Sequence, residues 1–112
     1  MNIRSQVLLW TAQRASAAVL ALCVVVHLIT IIYAVRNGLS AAEILGRTRG
    51  NHGWLAFYAV FVAAVAVHAP IGLRTILSEA LGWRGAGLDA AVLALGAALA
   101  WWGARAAFAV FA

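Results

Sequence analysis

The sequence predicts an all-α integral membrane protein, a unit of three transmembrane helices. Three observations predict it. The 112-residue chain is 66% hydrophobic and only 10% charged, with a mean hydropathy of +0.99, far from the composition of soluble domains. Three apolar stretches are long enough to span a bilayer, which takes about 20 residues of helix. All three acids, Glu43, Glu79 and Asp89, fall at or beyond the ends of those stretches. Residues 1–112 therefore read as a single transmembrane domain with spans at about 15–35, 54–77 and 88–112, and they leave no room for a soluble catalytic domain.

The first span, Ala15 to Val35, carries no charge. It is too long for a secretory signal, lacks a small-residue cleavage site and contains His27, so it is expected to be retained. Thr11-Ala12-Gln13-Arg14-Ala15-Ser16-Ala17 leads into it. Gln13, Arg14 and Ser16 put hydrogen-bonding groups and a positive charge at the membrane boundary. Arg14 by itself reads as interfacial snorkelling, and His27 further along the same helix shifts the balance towards a site. Cys23 is the only cysteine, which excludes a disulfide framework and a cysteine-based metal site and leaves a small packing residue.

The connection from Arg36 to Gly53 contains Ser40-Ala-Ala-Glu43, a capping box that starts a helix of one or two turns at the membrane surface. Arg47, Arg49, Asn51 and His52 then form a polar rim that reads as a solvated loop. The second span starts at Trp54 and holds Pro70, which is expected to kink it and to free a backbone carbonyl. Gly82, Trp83, Arg84, Gly85 and Gly87 make a short turn, so the second and third spans are expected to be antiparallel neighbours. In the third span Gly96, Ala100, Gly103 and Ala107 recur at spacings of three and four, a stripe along which another helix can approach closely. Trp101 and Trp102 serve packing or interface anchoring. That span holds no histidine and reads as structural.

The chemistry concentrates in the second span, in the pattern His68-x-x-x-Gly72-x-Arg74-x-x-x-x-Glu79. An imidazole inside a bilayer costs free energy unless something binds it, so an intramembrane histidine points to function. On a helix His68 and Gly72 share a face, with Arg74 nearly a turn further on. That suits a haem. The imidazole reaches the iron, the glycine lets a flat macrocycle approach, and Arg74 meets a propionate or a quinone carbonyl at the interface. The competing reading is a packing histidine bonded to a neighbouring helix.

The net charge is +5 and all eight basic residues are arginines. They stand singly at helix ends, which excludes a nucleic-acid surface and favours lipid headgroups, propionates or an acidic partner. Arg4, Arg14, Arg74 and Arg84 fall on one side and Arg36, Arg47, Arg49 and Arg105 on the other, so charge gives no orientation.

Two stretches resemble a known family. Gln13-Arg14-Ala15-Ser16-Ala17 with His27 is similar to the opening of the first helix in cytochrome b membrane-anchor subunits of succinate dehydrogenases and fumarate reductases. The His68–Glu79 pattern resembles their second helix, so the likeness covers about two thirds of the chain. The resemblance implies a multi-pass subunit, in a bacterial cytoplasmic (inner) membrane, that passes electrons between an iron–sulfur subunit, itself attached to a flavoprotein, and membrane quinone. It implies that His68 is an axial ligand of haem b, and that His27 ligates a second haem in members that carry two. It also implies quinone or propionate contacts by Gln13, Arg14 and Ser16, with Trp10 and Thr11 at the quinone position.

Helix rise puts His27 about 20 Å from Arg14 and His68 about 9 Å from Arg74. If both arginines mark one interface, the histidines differ in depth by about 10 Å and do not share an iron. A bis-histidine haem then needs a second imidazole from another chain, either a related subunit or a second copy about a two-fold axis. With it, the chain builds a haem-binding helical bundle and is not an enzyme by itself. A haem-free structural anchor is the alternative. A small transporter is disfavoured because all three acids lie at or outside helix ends.

Overall fold

The computed structural model describes residues 2–112. Four helices follow in order, α1 (Ile3–Asn37), α2 (Ala41–Thr48), α3 (His52–Leu81) and α4 (Ala86–Phe111). α1, α3 and α4 are long and apolar enough to cross a membrane.

α1 begins at Ile3, ahead of the apolar run that starts at Ala15, and the Asn2 side chain caps it by accepting from Ser5 N–H at 2.8 Å. Nothing between Ile3 and Arg14 breaks a helix. At 35 residues it is about 50 Å long, longer than a hydrocarbon core of about 30 Å, so its first turns stand outside. It ends at Gly38, whose φ of 133° lies where side chains are disfavoured. A Cβ there would also collide with the Glu43 carboxylate.

That carboxylate belongs to the expected capping box. Glu43 N–H donates to Ser40 Oγ at 3.2 Å and Ser40 N–H donates to Glu43 Oε2 at 3.3 Å. α2 runs across the chain to the end of α4 and closes it. Thr48 Oγ1 donates to Val110 O at 2.8 Å, Arg49 Nε to Ala112 O at 2.8 Å and Gly50 N–H to Phe111 O at 2.8 Å. A helix end leaves its last carbonyls without intrahelical donors, and inside or beside a bilayer such groups must be satisfied by the protein. The polar rim thus has an internal use: Asn51 caps α3 by accepting from Trp54 N–H at 3.2 Å, and the His52 ring packs edge-on against Phe111.

α3 lies between α1 and α4, antiparallel to both, since Ser16 meets His68 while His27 meets Tyr58, and Arg74 meets Asp89 while His52 meets Phe111. Its helix runs unbroken through Pro70. The carbonyl that Pro70 leaves without its N–H donor is that of Ala66. A Cβ at Gly96 would stand 3.2 Å from Ala66 O and 3.2 Å from Pro70 Cγ, so the freed carbonyl and the buried proline ring face the place where α4 has no side chain. Further along, a Cβ at Gly103 would sit 2.6 Å from Val62 Cγ1. The seam of α4 runs through Leu88, Val92, Gly96, Gly103 and Ala107, with Leu88 fully buried. Ala100 departs from the expected stripe and is exposed.

Few residues are buried. Ser16 and Cys23 are the buried positions of α1, on the single edge it turns towards α3. Large apolar side chains such as Leu22, Leu28, Ile29, Trp101 and Trp102 remain exposed, as lipid-facing or partner-facing surfaces require.

Candidate functional site

The α1–α3 seam holds Ser16, the buried polar residue among those described, and brings polar groups together at two levels. At the first, α1 offers Gln13 and Ser16 and α3 offers His68 and Gly72. Ser16 is 7% exposed. Its Oγ donates to Gln13 O at 3.1 Å, the backward bond of a mid-helix serine, and lies 3.3 Å from His68 Nδ1. Gly72 makes room at the same level, where a Cβ would be 3.2 Å from Gln13 Nε2. The glycine therefore accommodates the Gln13 amide within this chain, a neighbour the sequence did not identify. Gln13 Oε1 is buried and has no hydrogen-bond partner among the described residues, an expensive state for an amide oxygen.

Beside this level, on the outer side of α1, the Arg14 guanidinium stands 5.2 Å from the centre of the Trp10 ring. Gln13, Arg14, Ala17 and Ala18 border an open cleft of about 500 Å³. Thr11 is exposed on the same helix. Arg74, nearly a turn beyond Gly72, donates from Nε to Asp89 Oδ1 at 3.0 Å. This ion pair joins the end of α3 to the start of α4, and Asp89 as the partner of Arg74 was not foreseen.

At the second level, His27 Nδ1 lies 3.4 Å from the Tyr58 hydroxyl. Tyr58 and Phe61 present their rings edge-on to the imidazole at 5.8 and 5.7 Å, and the His27 carbonyl accepts from Thr30 Oγ1 at 2.7 Å. A cavity of about 770 Å³ opens beside it between α1, α2 and α3, with Thr30, Tyr33, Arg47, Trp54 and Tyr58 on its walls. Arg47 is fixed there by a 2.6 Å bond from Nη2 to Gly38 O and by the Tyr33 ring.

Tyr58 and Phe61 belong to no motif of the sequence, although a signal for them exists. Trp54, Tyr58, Phe61, Val65, His68 and Gly72 follow one another at alternating steps of four and three, the seam spacing of packed helices. The stretch from Tyr58 to His68 on α3, or from Ser16 to His27 on α1, corresponds to roughly 15 Å of helix, somewhat more than the depth difference expected from the arginines. The imidazoles are thus too far apart for one iron. No group of three or more His, Cys, Asp or Glu side chains that could hold a metal ion occurs among the described residues. For both histidines the hydroxyl contact is at Nδ1, and Nε2 makes no hydrogen bond among the described residues.

Residues 1–109 match the family described as the succinate dehydrogenase/fumarate reductase transmembrane subunit. No curated protein and no solved structure matches the chain.

Proposed function

The chain belongs to the succinate dehydrogenase/fumarate reductase transmembrane subunit family, and from that premise we propose that it passes electrons between an iron–sulfur subunit and membrane quinone through haem b held by His68. The dicarboxylate chemistry lies on a flavoprotein subunit, so this chain anchors and conducts and is not an enzyme by itself. Its 112 residues form one haem b domain in a bacterial cytoplasmic membrane.

The observation that carries the reading is the state of the His68 imidazole. An iron-ligating histidine commonly has its second ring nitrogen held by a hydrogen-bonding group. His68 meets that requirement, with Ser16 at Nδ1 and an unpartnered Nε2. The residues therefore fit the group. When bound, haem b would supply a one-electron carrier, held by two imidazoles. His68 provides one of those imidazoles. The other comes from a second membrane chain, a related anchor or another copy of this one, because this chain offers one histidine per level. Arg74 holds a cation at the interface, where it can turn from Asp89 to a propionate.

Quinone enters beside the same level. Arg14 presents a fixed cation to a quinone oxygen, with Trp10 and Thr11 along the approach and Gln13 at its inner edge. The buried Gln13 Oε1, without a donor in this chain, suits a ligand or partner that brings one.

A second reading extends the first to two haems. The cavity beside His27 supports it, since it offers volume for a second macrocycle roughly 15 Å from the first level. The chain is purified with its complex to test the main reading. Flavoprotein and iron–sulfur subunits that co-purify with b-type absorption bands, reduced by succinate, are the expected result. A pure, active complex without haem reduces the chain to a structural anchor.

A further inference from the structure

We infer that Ser16 is the positioning residue that fixes the tautomer of His68, and that this sets the potential of the iron His68 holds. The inference rests on the reading that the chain binds haem. It starts from the protons available at the first level. A serine hydroxyl has one proton and two lone pairs, and a neutral imidazole has one N–H and one bare nitrogen. The Ser16 proton is given to Gln13 O at 3.1 Å, along its own helix, and the 3.3 Å contact to His68 Nδ1 is the longer of the two. With its proton on Gln13 O the hydroxyl turns lone pairs to Nδ1, and we assign the histidine proton to that nitrogen. That leaves the Nε2 lone pair free for a metal.

Burial strengthens both contacts. Ser16 is 7% exposed, and water does not compete for either bond inside the α1–α3 seam. Successive hydrogen bonds in a low-dielectric interior polarise one another, so the run from Nδ1–H through Oγ–H to the Gln13 carbonyl draws positive charge away from the ring. An imidazole held in this way is a better electron donor to iron, and better donation favours the ferric form.

The other histidine lacks this arrangement. The Tyr58 hydroxyl at 3.4 Å from His27 Nδ1 has no further acceptor among the described residues. Its proton is uncommitted and can go to Nδ1, which would leave the imidazole proton on Nε2. The hydroxyl beside His68 thus has a second acceptor for its proton, and the hydroxyl beside His27 has none among the described residues.

The experiment compares Ser16→Ala, Ser16→Thr and Ser16→Cys in the assembled complex, by redox titration of the haem absorption and by the low-spin ferric resonance signal. Loss of one hydrogen bond of ordinary strength changes an equilibrium about fivefold. For a one-electron couple at 59 mV per tenfold, Ser16→Ala should raise the potential by about 40 mV and shift the resonance signal. Ser16→Thr, which keeps the hydroxyl, should restore both, and Ser16→Cys should fall between them. Haem that remains bound in Ser16→Ala with both quantities unchanged overturns the inference alone. If Ser16→Ala does not assemble, a Ser16→Cys complex with the original potential overturns it equally. A wild-type complex without haem overturns instead the reading on which it rests.

Discussion

Gly103 offers a demanding test of the packing that holds the two levels in place. A Cβ added there meets three carbons of one side chain, with Val62 Cγ1 at 2.6 Å, Cγ2 at 3.0 Å and Cβ at 3.3 Å. Valine is branched at Cβ and stiff, so it cannot swing away as a long side chain would, and α3 and α4 must separate. Overpacking of this kind costs about 1–3 kcal/mol. Replacing glycine by alanine in a helix returns about 1 kcal/mol of propensity, which leaves a net loss of roughly 0–2 kcal/mol for Gly103→Ala. Val62→Ala removes the two colliding methyl groups and by itself leaves a gap. The double variant should therefore be more stable than the sum of the two single effects, with a favourable coupling of about 1 kcal/mol or more. Reversible unfolding in mixed micelles, followed by helix signal across the four-member cycle, measures it. A stabilised Gly103→Ala protein, or strictly additive effects, would refute the close approach of α3 and α4 at this point.

Other perturbations separate the roles of the charged and polar residues. Asp89→Asn breaks an ion pair whose acid side chain is 60% exposed, so unfolding midpoints in micelles should move by well under the equivalent of about 1 kcal/mol, while Arg74→Leu should also weaken haem retention on dilution; equal haem loss in both would make the pair structural only. His27→Ala should remove one haem of distinct potential and leave the other in place, and a complex that holds a single haem before and after the change would make His27 a packing residue. Arg14→Leu should slow quinone-linked turnover about a hundredfold, on the order of 2–3 kcal/mol for a lost charged contact in the transition state, while an artificial dye is still reduced at the normal rate. Arg14→Lys should recover part of that loss, because the charge returns and the planar donor fork does not; normal quinone reduction in the leucine variant places the site elsewhere.

The membrane class, the three spans and the two histidines were legible in the sequence because each departs sharply from its surroundings: long uncharged runs, and an imidazole inside each of two of them. The Ser40–Glu43 capping box was legible because it is local. What escaped was non-local. Tyr58 and Phe61 lie within an apolar run where aromatic residues give no contrast in hydropathy, and their contact with His27 depends on the register between α1 and α3. Asp89 meets Arg74 only because the glycine turn at Gly82 and Gly85, both with positive φ, brings α4 back beside α3. Thr48, Arg49 and Gly50 close the end of α4 from the far side of the chain, which no sequence window connects. In the stripe of small residues Ala100 fits the spacing of three and four but lies off the seam that Gly96, Gly103 and Ala107 share.

The central claim is that His68 holds the iron through which electrons cross this subunit. It is tested most directly by the haem content of the purified His68→Ala complex, measured from its reduced-minus-oxidised spectrum against protein. The account predicts that at least one haem is lost per complex while the three helices still insert and the flavoprotein and iron–sulfur subunits still bind. An assembled His68→Ala complex with its full complement of haem would contradict it.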